Sequence, residues 1–201
     1  MPSALRTLSI VALAALLAAC GSQGPQFSAS DITGSTFGRD FSLSDANGKV
    51  RTLADFRGKA VVVFFGYTQC PDVCPTTLAA LAETMKQLGP DAERVQVLFI
   101  TVDPERDTAD LLGKYVPAFD PRFLGLRGDA DATARAAKEF KVIYQKQPGT
   151  TPGSYSMDHS AGTYIYDPQG RLRLYVGHNQ GTDVFAHDLR LLLKGGEGVK
   201  A

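Results

Sequence analysis

The sequence predicts an α/β domain built around a parallel βαβ unit, and three observations carry that expectation. Ala60–Phe65 is continuously apolar and Val95–Val102 is a second such strand, interrupted only by Gln96 and Thr101; both are rich in β-branched and aromatic residues, the composition of strands covered on both faces. Between them Leu78, Leu81, Met85 and Leu88 recur at spacings of three, four and three, so they line one face of a helix over Pro75–Leu88. Gly89-Pro90 is its stop signal. A strand, a helix and a strand joined in this way cross over right-handedly, which makes the two strands parallel.

The remaining elements follow in order. Phe41–Ser44 and Lys49–Thr52 flank Asp45-Ala46-Asn47-Gly48, where Asn47 and Gly48 can take the positive backbone angles of a tight hairpin. Helices are expected at about Thr108–Val116, ended by Pro117, and at about Asp131–Lys141. Gln145–Met157 is rich in Pro, Gly, Thr and Ser and reads as an exposed loop. Ala161–Tyr166 and Leu172–Val176 flank the turn Asp167-Pro168-Gln169-Gly170, a second hairpin that closes the sheet. A last helix over Thr182–Lys194 buries Phe185, Leu189 and Leu192 or Leu193, and residues 195–201 form a Gly-rich flexible tail. This order of elements is that of a thioredoxin-like fold with an N-terminal β-hairpin and an inserted helix.

At 201 residues and 44% hydrophobic content, one substantial core is expected and a second domain is not. Basic and acidic residues balance at 21 each, and without Arg6, the only charge in residues 1–19, 20 basic face 21 acidic side chains. That balance excludes the electrostatic footprint of a nucleic-acid-binding protein. The N-terminus carries its own signal: Arg6 precedes an apolar run from Leu8 to Ala19. Such a run is shorter than the roughly 20 residues of a membrane-spanning helix, and residues 1–19 read as a secretory signal peptide. Leu17-Ala18-Ala19-Cys20 resembles the lipobox of bacterial lipoproteins, which makes Cys20 the lipidated first residue of the mature chain. The expected organisation is then a membrane anchor at Cys20, a flexible linker over residues 20–36 and a domain over residues 37–194, on the extracytoplasmic, periplasmic side.

The chemistry concentrates in Cys70-Pro71-Asp72-Val73-Cys74-Pro75, where a central strand turns into a helix. Proline suits the first helical position, so Pro75 suggests that Cys74 is the cap and that Cys70 lies in the loop ahead. A helix N-terminus stabilises thiolates, which favours metal ligation and thiol exchange alike. With Cys20 as anchor these are the two free thiols of the chain. A purely stabilising disulfide is poorly served by this spacing, because so short a loop contributes only about 2 kcal/mol against about 3 for 15 residues. Redox exchange and metal binding both remain. Three intervening residues let two thiolates spread around one ion, and two thiolates plus an imidazole suit copper, whereas structural zinc usually takes a fourth ligand. Of the three histidines, His159 is the candidate ligand, because it enters the strand that runs beside the helix start. His178, His187 and Met157 read as surface or packing residues.

Gly66-Tyr67-Thr68-Gln69-Cys70-Pro71-Asp72-Val73-Cys74-Pro75 resembles the signature of the Sco/SenC family of copper chaperones. Asp103-Pro104-Glu105-Arg106-Asp107-Thr108 and Met157-Asp158-His159-Ser160 resemble two further blocks of that family, and the likeness runs from about Phe37 to Lys194. The resemblance implies that Cys70, Cys74 and His159 bind one copper ion, as Cu(I) or Cu(II), with Asp103 close behind the ligands. It implies delivery of that copper to the dinuclear centre of cytochrome c oxidase subunit II. A second periplasmic copper chaperone and a thioredoxin-like reductant would be further partners. The alternative is a thiol-disulfide reductase that keeps the acceptor's cysteines reduced, with Cys70 or Cys74 attacking. Many relatives use a transmembrane helix where this chain has a lipid signal.

Overall fold

The computed structural model describes residues 25–195. The expected signal peptide, Cys20 and all of the expected tail but its first residue lie outside the described residues. Ten strands are described: β1 (Ser30–Asp31), β2 (Leu43–Asp45), β3 (Val50–Arg51), β4 (Ala60–Gly66), β5 (Val95–Thr101), β6 (Leu124–Arg127), β7 (Tyr144–Pro148), β8 (Tyr155–His159), β9 (Thr163–Tyr166) and β10 (Leu172–Val176). The helices are α1 (Val73–Leu88), α2 (Ala109–Tyr115), α3 (Ala130–Glu139) and α4 (Thr182–Gly195). Eight strands form one sheet in the order β1-β10-β9-β4-β5-β6-β2-β3, while β7 and β8 form a separate ribbon. The arrangement is thioredoxin-like.

The sheet is organised by β4, whose seven residues are all buried, and by β5, which pairs with it in parallel from Ala60↔Val95 to Gly66↔Thr101. Side chains of alternate faces both find cover, so β4 is apolar throughout and β5 is apolar except for Gln96 and Thr101. Helix α1 connects them and buries Leu78, Leu81, Met85 and Leu88. It stops at Gly89, whose φ of 59° a residue with a Cβ adopts only at a cost. Helix α4 lies against α1 and buries Phe185, Leu189, Leu192 and Leu193. Antiparallel β9 and β10 complete this side of the sheet, and β9 pairs directly with β4.

Several expectations change in detail. The N-terminal hairpin forms as β2–β3, but only Gly48 takes a positive φ, of 77°. The buried Asp45 carboxylate closes the turn instead, accepting from the Asn47 and Lys49 amides at 2.9 and 3.1 Å and from Arg51 Nε at 2.8 Å. Strand β6 went unpredicted; it pairs in parallel with β5, and its Gly125 gives Leu112 and Val116 of the α2 region room to approach. The segment expected as an exposed loop is mostly the β7–β8 ribbon, in register from Tyr144↔His159 to Pro148↔Tyr155. Part of the segment expected as a flexible linker is docked: β1 pairs with β10, and the Ser28 and Ala29 amides each donate to the buried Asp188 of α4 at 2.8 Å. Two backbone donors satisfy that buried carboxylate, which is why an aspartate is tolerated on the apolar face of α4.

Candidate metal centre

Helix α1 begins two residues earlier than proline placement suggests. Asp72 is the N-cap and Val73 the first helical residue, so Cys74 lies inside the first turn and is not the cap. Pro75 still fits, since amides of the first turn have no helical partner to lose. The free amide of Cys74 donates to Cys70 Sγ at 3.4 Å, and that of Thr76 to the Asp72 carbonyl at 3.1 Å.

Cys74 is fully buried, packed against the end of β4. A Cβ at Gly66 would lie 2.7 Å from Cys74 Sγ and 2.8 Å from the Phe99 ring, so this glycine is what lets the sulfur sit against the sheet. Cys70 is half-buried in the loop, where its amide donates to the Tyr67 carbonyl at 3.3 Å. The loop is pinned from below by Asp107, a buried carboxylate that accepts from the Thr68 amide, the Thr68 hydroxyl at 2.5 Å and the Thr101 hydroxyl at 2.6 Å. Burial still pushes the Asp107 carboxyl up, with the hydroxyl donors pulling the other way.

His159 closes the site from the other side, as the last residue of β8. Its ring meets Tyr67 edge-on, with centroids 5.9 Å apart, and packs near Phe64. Nδ1 stands 3.0 Å from the Ser160 carbonyl, which only accepts, so Nδ1 carries the proton and Nε2 keeps its lone pair. Nε2 points at Cys74 Sγ, 3.5 Å away. The two sulfurs and the imidazole nitrogen all lie within 4.8 Å of one another. That is close to the span one ion bridges with bonds of about 2.0–2.3 Å. The three expected ligands are thus brought together, at the floor of an open cleft of about 400 Å³ lined by Tyr67, Pro71, Val73, Met157 and Ala161.

The electrostatics differ from the expectation for a helix N-terminus. Burial pushes the Cys74 thiol up, against a hydrogen bond with the Tyr67 backbone that pulls it down. Desolvation outweighs the helix dipole here, and the thiol holds its proton until something displaces it. Burial also lowers the His159 imidazole, opposed by Ser160 and Asp158, so the ring is neutral where a metal would need it.

Asp103 is buried behind the site, yet its hydrogen bonds go to Arg106 Nε, at 2.5 Å, and to the Tyr155 hydroxyl, at 2.8 Å. Burial and this carboxylate push the Tyr155 phenol up to about 12, which keeps it a donor. Asp107, Arg106 and Tyr155 escaped the sequence analysis as parts of the site; the first two sit in the same short block as Asp103, the only signal available. His178 is exposed, and His187 contacts Asp188 and Ser28, away from the centre. Met157 is buried in the core.

The SCO1/SenC family model matches residues 29–194. Mouse (Mus musculus) protein SCO2 homolog, mitochondrial, is 40% identical over 153 residues, 75% of this chain and 60% of the relative. The Saccharomyces cerevisiae protein SCO2, mitochondrial, is 37% identical over 71% of this chain and 48% of its own length. The matched region therefore spans about half to three fifths of these relatives. Apo Sco1 from Thermus thermophilus superposes with a TM-score of 0.75 at 41% identity, covering 86% of this chain and 100% of that one. Bradyrhizobium japonicum ScoI, solved with copper bound, gives 0.71 at 40% identity, covering 77% and 98%. BsSco, a member of the Sco family of cytochrome c oxidase assembly proteins, shares the fold at 20% identity with a TM-score of 0.63, over 85% of this chain and 98% of that one.

Proposed function

This chain belongs to the SCO1/SenC family, and on that premise we propose that it is a metallochaperone holding one copper ion on Cys70 Sγ, Cys74 Sγ and His159 Nε2. The observation that carries the proposal is the convergence of those three atoms within 4.8 Å from two separate elements. Two sulfurs favour Cu(I), and the imidazole nitrogen helps to retain Cu(II). Copper entry displaces the proton of the buried Cys74 thiol, so loading releases protons and weakens as pH falls. The acceptor is the dinuclear copper centre of cytochrome c oxidase subunit II. Handover proceeds by ligand exchange at Cys70, the sulfur nearest to solvent, while Cys74 and His159 let go last. A lipid on Cys20 holds the domain on the periplasmic side of a membrane; among the described residues no helix is long and apolar enough to cross one.

A second function has an observation in its favour, the asymmetry of the thiols. Cys70 is half-exposed and Cys74 is buried beside it. In a thiol-disulfide reductase Cys70 would attack an acceptor disulfide and Cys74 would resolve the mixed disulfide; the acceptor gains two electrons and the Cys70–Cys74 pair is oxidised.

Copper stoichiometry on the fully reduced chain, compared with His159→Ala, tests the proposal. One copper per chain with a thiolate-to-Cu(II) absorption band, both lost in the variant, is the expected result. A variant that loses copper yet keeps thiol exchange and still matures the oxidase would leave the reductase as the function.

A further inference from the structure

The sulfurs and the imidazole stand on elements that share no strand pairing. Cys70 and Cys74 belong to the β4–α1 connection of the main sheet, and His159 ends a strand of the β7–β8 ribbon. One side chain is bonded to both. Arg106, in the loop after β5, donates from Nη1 to Gln69 Oε1, beside Cys70, at 3.2 Å, and to the Tyr155 carbonyl of β8 at 2.9 Å. Its guanidinium carbon lies 3.6 Å over the Tyr155 ring and 5.7 Å from the Tyr67 ring centroid. The Asp103 carboxylate locks this arrangement by holding Arg106 Nε on one oxygen and the Tyr155 hydroxyl on the other. At the rim, Lys146 of β7 repeats the pattern, 2.6 Å from Glu105 and 4.6 Å from the Tyr155 ring.

We propose that Arg106 is the positioning residue of the metal centre, clamping the β7–β8 ribbon to the cysteine loop and so setting the separation between sulfurs and imidazole; this rests on the copper reading above. Two features separate a clamp from an ordinary stabilising ion pair. First, Arg106 Nη2 is buried with no hydrogen-bond partner. A buried cation with an unmet donor is a poor stabiliser, since an apolar side chain fills the same space without that penalty. Second, one nitrogen of the guanidinium, Nη1, serves both ligand-bearing elements while Nε is held by Asp103, and the planar group lies over the Tyr155 ring, a combination that the point charge of a lysine does not reproduce. Groups that hold ligand-bearing elements in place commonly change metal affinity 10- to 100-fold when removed.

The test uses the full reduced chain, with Arg106→Lys and Gln69→Ala beside the wild type. Cu(I) affinity is read by competition with a chromophoric chelator, the Cu(II) site by its thiolate band, and the metal-free protein by amide hydrogen exchange. Arg106→Lys is expected to bind Cu(I) about 10- to 100-fold more weakly, with a shifted band. Amides of β7 and β8 should exchange faster while those of β4 and β5 do not change. Gln69→Ala, at an exposed side chain, should show a smaller loss of the same kind. Wild-type affinity, band and ribbon exchange in Arg106→Lys would overturn the clamp, and so would equal loosening of β4 and β5, the mark of a general stabiliser. Should Arg106→Lys fail to fold, unchanged affinity and band in Gln69→Ala overturn the clamp by themselves. A wild type that takes no copper would refute the copper reading instead, and the metal-free exchange pattern would still decide the clamp.

Discussion

The β4–α1 junction and the β7–β8 ribbon supply the same centre by opposite means. At the junction every residue of β4 is buried, paired with β5 along its whole length and with β9 over Val61–Phe64, so the sulfurs arrive wherever the core puts them. The ribbon is largely exposed, and two strands alone are marginal in water. What holds it is Met157, buried in the core, together with polar ties: Lys146 on Glu105 and the Arg106, Tyr155 and Asp103 network. Cys74 is thus part of the hydrophobic core with Cys70 packed against it, and the imidazole rides on an arm. Substitutions at the junction should change stability and metal together, whereas substitutions in the arm should change the metal and spare the fold.

The sharpest break in that comparison is His159→Ala. It removes the arm's imidazole, whose contacts are edge packing on Tyr67 and Phe64, one hydrogen bond from Nδ1 to the Ser160 carbonyl and the approach of Nε2 to Cys74 Sγ. Copper affinity should fall by more than about 100-fold, beyond what losing a supporting residue does. The metal-free melting temperature should move by no more than a few degrees. Gly66→Ala is the counterpart on the core side. A methyl group placed 2.7 Å from Cys74 Sγ and 2.8 Å from Phe99 overpacks the junction, at about 1–3 kcal/mol. Calorimetry on the metal-free protein should show the loss and chelator competition a parallel fall in affinity; an unchanged midpoint would mean that the sulfur does not depend on this glycine.

The same division explains what could be read in the sequence. The junction was legible because burial writes itself into composition: β4 is an apolar run, β5 is one interrupted only by Gln96 and Thr101, and α1 repeats at helical spacing. The cysteines stand where those patterns meet. The ribbon was illegible because Tyr144–Pro148 shows neither alternation nor an apolar run, and the alternation of Tyr155–His159 is only five residues long beside a stretch rich in turn formers. His159 was singled out from its place before β9, without its strand. Strand β6 is four residues long and contains a glycine, too short for any period to show. Asp103 was expected behind the candidate ligands; its partners, Arg106 and Tyr155, are 3 and 52 residues away, and nothing in a sequence reports which donor a buried carboxylate finds.

Within the arm, Tyr155→Phe removes one donor from Asp103 and keeps the ring under Arg106. Tyr155 is half-exposed, so water can replace the lost hydroxyl. The cost should be about 1 kcal/mol, visible as faster amide exchange in β8 before any change in the global midpoint. Acid acts on the arm more gently still. The His159 imidazole titrates below its ordinary 6.5 in the folded chain because burial disfavours the cation. The unfolded chain therefore takes up that proton first. The stability contribution is fully present above pH 6.5 and is lost as pH falls through the lower, folded value. Urea midpoints of metal-free wild type and His159→Ala should run parallel above pH 6.5 and converge or cross below it; parallel curves throughout would mean that the ring is not desolvated.

The smallest effect is expected furthest out along the arm. The turn between β7 and β8, Thr150-Thr151-Pro152-Gly153, is exposed and closes on itself through Ser154, whose hydroxyl donates to the Thr151 carbonyl at 2.7 Å. The ties that register the ribbon against the body all lie outside this turn, at Lys146 and His159 and, on the strand just after the turn, at Tyr155. Replacing the four turn residues by Asn-Gly supplies a two-residue hairpin connection, which suits the twist of two antiparallel strands. Copper affinity and the Cu(II) band should then stay within about a factor of two of wild type, a free-energy change of about 0.4 kcal/mol. A loss near that of His159→Ala would mean that the turn itself reaches the metal or its cleft, and that the ties at Tyr155, Lys146 and His159 do not position the arm by themselves.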